Sequence, residues 1–288
     1  MPDCARCVGS DPRKVTARHL DHDALREGLR AEGFNCGPLR PAGPSGKREV
    51  WTDGVVVVRV SRATAVLRND VEAELDWARR IGAVVPAQRP LAGPFYLSGS
   101  TATVWEWLEG DFITPEHAGA HGALLRTLHD QGGRQPDGVT MVDQLDSART
   151  RLPLICDEDL RTVLASLVEY AATVLLRANS GCLVLSHGDA HDRNILVVDE
   201  VLHLIDFDSA GWAQRHIDVA SGMYAWRHNH HAETAVKAFL VGYGAHPDLP
   251  ADHLDALVWV RRVRATCTRA AAGERVDTRV QELLVTRP

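Results

Sequence analysis

The stretch from Leu183 to Asp208 constrains this chain more than any other. It holds three strand-like runs, Leu183–Leu185, Ile195–Val198 and His203–Ile205, separated by the polar turns His187–Asn194 and Asp199-Glu200. Runs of three or four residues span only about 10–13 Å. They can build small ribbons that hold loops, but not a large sheet. Helical periodicity surrounds them. His117–Asp130 places Ala120, Leu124, Leu125 and Leu128 on one face, and Asp157–Asn179 repeats the pattern over a longer span. The same period returns at Asp218–Trp226, Ala232–Gly242 and Pro250–Ala272.

The first third reads differently. Residues 1–15 are irregular, and Thr16–Glu32 predicts a helix closed by Gly33. A Pro- and Gly-rich loop runs from Gly37 to Gly46. Arg48–Thr52 and Val55–Ser61 then flank Asp53-Gly54, a strong hairpin signal. Asp70–Ile81 predicts a helix with Val71, Leu75 and Ala78 on one face, and further strands are expected near Ala87–Leu91 and Thr101–Trp107. A sheet-rich segment followed by a helical one predicts an α+β chain of two lobes. The N-terminal lobe is expected over 1–107, with 1–15 as a loose tail, and the C-terminal lobe over 108–288.

The 288 residues carry a formal charge of −6 with no basic block, so a nucleic acid is not expected as partner. Basic and acidic residues balance over 1–110, at 15 against 14, whereas 111–288 hold 17 against 24. That asymmetry suits a protein holding an anion on one side and a cation on the other. No apolar run is long enough to span a bilayer, and the charged N-terminus lacks a leader pattern, so a cytoplasmic protein is expected. The six cysteines are scattered and predict no disulfide framework; the lone pair Cys4 and Cys7 lacks the partners of a zinc site. The run Arg227–His231, with His228, His230 and His231, reads as a solvated loop beside a substrate cleft.

The chemistry concentrates in two segments, His187-Gly188-Asp189-Ala190-His191-Asp192-Arg193-Asn194 and Ile205-Asp206-Phe207-Asp208. An Asp, four residues, an Asn, and an Asp-Phe twelve residues later is the order used by phosphoryl-transfer enzymes. In that pattern Asp189 takes or orients the hydroxyl proton, and Asn194 and Asp206 offer the hard oxygens that Mg²⁺ requires. These side chains sit between apolar strands that would hold them rigid.

The loop HGDAHDRN and the segment IDFDSAGWAQRHIDVA resemble the aminoglycoside phosphotransferase family, relatives of choline kinase within the protein-kinase-like fold. VWEWLEG at Val104–Gly110 is similar to that family's hinge strand, and GALLRTLH at Gly122–His129 to the first long helix of its large lobe. The resemblance runs from about Ser45 to about Ala220. It implies a kinase-like fold with a small β-rich lobe and a larger helical one. The implied activity moves the γ-phosphate of ATP or GTP, with Mg²⁺, to a hydroxyl of an antibiotic or another small molecule. The expected protein is a monomer or homodimer that does not engage membranes.

The resemblance also implies roles along the chain. Ser45, Gly46 and Lys47 would cover the phosphates. Arg59 stands where protein kinases place a lysine, and would pair with Glu74, with Glu72 as the alternative. Trp105, Glu106 and Trp107 would border the adenine, either by stacking or by core packing that leaves the base edge to the backbone. His187 and Asp218 would be architectural. Asp208 would support the metal site or touch substrate. Asp192 departs from the family's Pro-Gly and would meet a cationic acceptor, or else stand solvated. A protein kinase is disfavoured by the missing activation segment between Asp206 and Asp218, and a pseudokinase by the intact Asp189, Asn194 and Asp206.

Overall fold

The computed structural model describes residues 22–42, 48–62, 68–97, 100–136, 141–178, 183–244 and 251–288. The chain forms two compact units: residues up to Glu72 with Arg89–Trp107, and Ala73–Gln88 with Leu108–Pro288.

The smaller unit is a helix on a five-stranded antiparallel sheet. Helix α1 (His22–Ala31) precedes β1 (Arg40–Pro41), β2 (Arg48–Thr52) and β3 (Val56–Arg62). After α2 (Arg68–Gly82) come β4 (Pro90–Leu97) and β5 (Ser100–Glu106), giving the order β1-β2-β3-β5-β4. The hairpin expected at Asp53-Gly54 is present. Gly54 takes φ +89°, and the Asp53 carboxylate accepts the N–H groups of Val55, Val56 and Gly37 at 2.7–2.9 Å. Alternation along β3 and β5 buries Val56, Val58, Val60, Ala102 and Val104 against Leu25 and Leu29 of α1. The strand expected at Ala87–Leu91 starts later, at Pro90, and Ala87 makes only an isolated bridge to Leu204. The predicted helix over 16–32 is described from His22, and the loop at 43–47 lies outside the described residues.

The larger unit is mostly helical. It contains β6 (Asp111–Phe112), α3 (Ala118–Gln131), α4 (Asp146–Arg149) and α5 (Glu158–Arg177). Next come β7 (Leu183–Ser186), β8 (Ile195–Val198), β9 (Val201–Leu204) and β10 (Gly211–Gln214). The chain ends with α6 (His216–Tyr224), α7 (Glu233–Tyr243), α8 (Ala251–Ala271) and α9 (Asp277–Val285). Helices α5, α8 and α9 bury Leu164, Leu167, Val168, Val263, Cys267 and Leu283 in one core. Helices α3 and α7 cross on glycines. A Cβ at Gly122 would stand 2.1 Å from the Phe239 carbonyl, and one at Gly242 would stand 2.0 Å from the Gly119 carbonyl.

The short strands between 183 and 205 form two ribbons, β10-β7 and β6-β8-β9. Strand β10 was not expected from the sequence, because Gly-Trp-Ala-Gln is buried throughout and shows no alternation. Arg227–His231 is a loop only at His230 and His231, although Asn229 and His231 are exposed as expected. Ala225–Asn229 continues α6 as a π turn, with Trp226 fully buried and Arg227 paired to Asp255 at 2.9 Å and Glu233 at 3.2 Å. Burial, with Arg262 and Arg227 nearby, pushes His228 down to about 4. Among the described residues no helix is long and apolar enough to cross a membrane.

Candidate active site

In the larger unit β7 runs out of the core into Ser186 and His187, both buried. The chain then turns at Gly188, whose φ is +78° and whose absent Cβ would lie 1.9 Å from the Ser209 carbonyl. Only glycine fits there. Asp218, fully buried on α6, organises this turn. Its Oδ2 accepts the Ser186 hydroxyl and the His187 N–H, both at 2.8 Å, and its Oδ1 accepts the Gly188 N–H at 2.7 Å. His129 Nε2 stands 3.1 Å from Oδ2, and His129 Nδ1 meets the Tyr243 hydroxyl at 2.8 Å. Burial works against charge on Asp218, but the bond and charge of His129 outweigh it and hold the carboxyl below its usual range.

His187 laces this loop to the next. Its Nε2 meets the Ile205 carbonyl at 2.9 Å, which makes it the protonated nitrogen. Beyond it, His191 Nδ1 accepts the Arg193 N–H at 3.1 Å and caps the turn Asp192–Asn194. The Asn194 side-chain amide N–H donates to the Asp189 carbonyl at 3.0 Å, and the Ile205 N–H donates to the Asn194 carbonyl at 3.0 Å. Asn194 and Asp206 are therefore neighbours across the ends of β8 and β9. Asp206 takes φ +65°, a strained conformation of the kind that concentrates at functional sites.

The Asp189 carboxylate is partly buried. Its Oδ1 lies 2.7 Å from Arg261 Nη2 on α8, and its Oδ2 lies 3.8 Å from His191 Nε2. Burial raises its pKa, yet Arg261, His191, Arg264 and His187 together hold it well below the usual carboxylate range. Asp192 is neither solvated nor open to a ligand, contrary to expectation. Only 7% of its side chain is exposed, and its oxygens take the Asn229 amide and His230 Nε2, both at 2.9 Å. Asp208 is exposed and accepts the Ser209 hydroxyl at 3.1 Å.

The sequence reading missed Arg261, Arg264 and the role of His129, and it placed Asn229 and His230 in a solvated loop. The available signal was Arg261 and Arg264 inside the apolar helical run VWVRRVRATC, where a buried arginine needs a partner.

The smaller unit carries Arg59 on β3, its guanidinium 4.5 Å from the centre of the Trp105 ring. Trp105 is fully buried and donates from Nε1 to the Thr103 hydroxyl at 2.8 Å, so its indole is core and does not offer a stacking face to a base. Glu106 accepts from the Arg89 N–H at 2.7 Å and from Arg89 Nε at 2.9 Å. The Trp107 N–H donates to the Val55 carbonyl at 3.1 Å. Glu74 is buried on the part of α2 that belongs to the larger unit, whereas Glu72 accepts from the Tyr96 hydroxyl at 3.1 Å. Ser45, Gly46, Lys47, Cys4 and Cys7 lie outside the described residues.

A metal can be tested against this donor set. Among the described residues no cluster of three or more His, Cys, Asp or Glu side chains could hold an ion. Asn194 and Asp206 supply an amide oxygen and a carboxylate. The Asn194 nitrogen is spent on the Asp189 carbonyl, so the amide oxygen is the atom left to coordinate. Two hard oxygens fit Mg²⁺, which commonly completes its shell with water and phosphate.

Residues 45–254 match the model of the phosphotransferase enzyme family (APH), and the chain belongs to that family. It is accordingly a phosphotransferase acting on hydroxyl groups, built on the two-lobe α+β protein-kinase-like fold. Among solved structures it is similar to the amicoumacin kinase hAmiN in complex with AMP-PNP, Ca²⁺ and Ami. That match has 15% identity and a TM-score of 0.66, and it covers 92% of each chain. The gentamicin complex of APH(2")-IIa aligns at 16% identity and TM-score 0.65, over 93% of this chain and 97% of the other. A choline/ethanolamine kinase family protein from Mesorhizobium loti aligns at 18% and 0.62, over 91% and 93%. No curated protein matches the chain.

Proposed function

We propose that the chain is a small-molecule kinase that moves the γ-phosphate of ATP or GTP to a hydroxyl of an antibiotic, aminoglycoside-like or otherwise, or of another hydroxylated metabolite. The observation that carries this reading is the joint placement of Asp189, Asn194 and Asp206 on two loops laced together by His187 and anchored by Asp218. Asp189 receives the acceptor proton at Oδ2, since Oδ1 faces Arg261. As that proton leaves, the acceptor oxygen bonds to the γ-phosphorus and the bond to the leaving diphosphate breaks. Asn194 and Asp206 would hold Mg²⁺, which when bound screens the phosphate charge. Arg59, oriented by Glu74, binds phosphate oxygens, and Ser45–Lys47 cover them. The backbone of Trp105–Trp107 reads the base edge.

Asp192 becomes a positioning residue. Its carboxylate ties the catalytic loop to the π turn through Asn229 and His230. Asp208 remains as the exposed carboxylate available to an acceptor.

The test is Mg²⁺-dependent consumption of ATP and GTP against a panel of aminoglycosides, other hydroxylated antibiotics and amino alcohols. Asp189→Asn should lower turnover by about 10²–10⁴ while nucleotide still binds. A folded Asp189→Asn protein with near-normal turnover overturns the assignment. Nucleotide binding with no acceptor-dependent turnover favours a pseudokinase, and phosphorylation of proteins alone favours a protein kinase.

A further inference from the structure

Between α6 and α8 lies a small cavity whose lining includes Gln144, Ser221, Arg261 and Arg264 among apolar residues such as Ile217 and Leu257. It has room for a single small occupant. Each of the four polar residues carries a buried atom with no hydrogen-bond partner: Gln144 Nε2, Ser221 Oγ, Arg261 Nε and Arg264 Nε. Gln144 and Arg264 are each 7% exposed and Ser221 only 1%. Arg264 Nη1 reaches Gln144 Oε1 at 3.4 Å, which directs the Gln144 oxygen to the guanidinium and leaves its NH₂ unpaired.

All four atoms can donate, and three can only donate. A water accepts two hydrogen bonds and must place two protons of its own. Ser221 could take one proton. The carbonyls of α6 and α8 are engaged within their helices, and the remaining lining is apolar. Water therefore leaves donors unmet and a proton without an acceptor, at a depth where such groups are costly. An occupant that only accepts meets the whole set.

The charge points the same way. Arg261 and Arg264 bring two positive charges, and Asp189 returns one negative. The next charges acting on Arg264, Asp208 and Arg151, are of opposite sign. Two guanidinium groups thus stand beside one carboxylate, and Arg264 is buried, where positive charge without a full counter-charge is unfavourable.

We propose that this cavity is a binding site for one small monovalent anion of halide size, with chloride as its ligand. The anion accepts from Gln144 Nε2, Ser221 Oγ and the Nε–H groups of Arg261 and Arg264. Because Arg261 also holds Asp189 Oδ1 through Nη2, on the same edge as its Nε–H, an anion at Nε competes with the carboxylate for that guanidinium. Chloride would then set how tightly the carboxylate of the catalytic loop is held. The site stands on its own residues, and the kinase reading does not depend on it.

Crystals of the full chain grown in sodium bromide test it directly. An anomalous bromide peak in the cavity, within hydrogen-bond reach of Arg261 and Arg264, is expected. In parallel, Tm is compared in chloride and gluconate at equal ionic strength. A chloride concentration tenfold above its Kd should shift the folding equilibrium about elevenfold, and so raise Tm by roughly 3 °C. Gln144→Leu and Ser221→Ala should each reduce that difference by at least half. An oxygen-sized density with no anomalous signal, or a Tm difference that both variants leave unchanged, overturns the proposal. Either result leaves the phosphotransferase assignment intact.

Discussion

Replacing Asp218 with asparagine should destabilise the protein more than any conservative change at the catalytic residues themselves. The carboxylate receives the Ser186 hydroxyl, two backbone N–H groups and His129, all fully buried. An asparagine offers one carbonyl oxygen, which can satisfy two of these, and turns an NH₂ toward the rest. Two buried donors are then stranded at about 1–3 kcal/mol each, and the charge beside His129 is lost. The sum is about 3–5 kcal/mol, a large share of the 5–15 kcal/mol typical of folded proteins. Urea unfolding at pH 7 should show that loss, with Tm lower by about 10 °C. The folded pKa of Asp218 lies below its unfolded value, so its contribution is complete above about pH 4 and disappears as pH falls through the folded value. The gap between wild type and Asp218→Asn must therefore narrow below about pH 4. A loss under 1 kcal/mol at pH 7, or a gap that does not close in acid, would refute the account. Turnover of the folded variant should also fall by about 10², because the loop that aims Asp189 has lost its anchor.

Three further outcomes are expected. Asp206→Ala should abolish Mg²⁺-dependent nucleotide binding in titration calorimetry, and an unchanged affinity would remove Asp206 from the metal site. Arg59→Ala should raise the nucleotide KM or lower kcat, and Glu74→Ala should do so more weakly; a larger effect from Glu72→Ala would show that the register was misassigned. Gly188→Ala must push its Cβ into the Ser209 carbonyl at a positive φ, so the soluble yield should collapse or Tm fall by at least about 6 °C. A Tm within 2 °C of wild type would contradict that geometry.

The features legible in the sequence were those fixed by near neighbours. Asp53-Gly54 announces its own hairpin, and the spacing of Asp189, Asn194 and Asp206 marks two loops whose strands lie immediately beside them. The illegible features depend on partners far along the chain. Asp192 reads as a loop carboxylate until Asn229 and His230, 37 and 38 residues later, are brought onto it. Arg261 sits in the apolar run of α8, but its partner Asp189 lies 72 residues earlier, so the run itself does not name it. The π turn at Ala225–Asn229 has no periodicity of its own, and its polar residues invite a loop assignment. Trp105 shows the opposite failure: an aromatic beside a hinge suggests a ligand, but β5 turns it fully into the core.

The glycine crossing of α3 and α7 bears on the catalytic loop. Backbone approaches backbone at Gly119, Gly122 and Gly242, while His121 packs on Phe239 and His129 on Tyr243 between the same helices. Helix α7 is thereby seated closely on α3. One end begins at Glu233, just past the turn whose Asn229 and His230 grip Asp192. The other ends at Tyr243, whose hydroxyl touches His129 and, through it, Asp218. The catalytic loop is thus tied at Asp192 to the turn just before α7 and, through Asp218 and His129, to the last residue of the same helix.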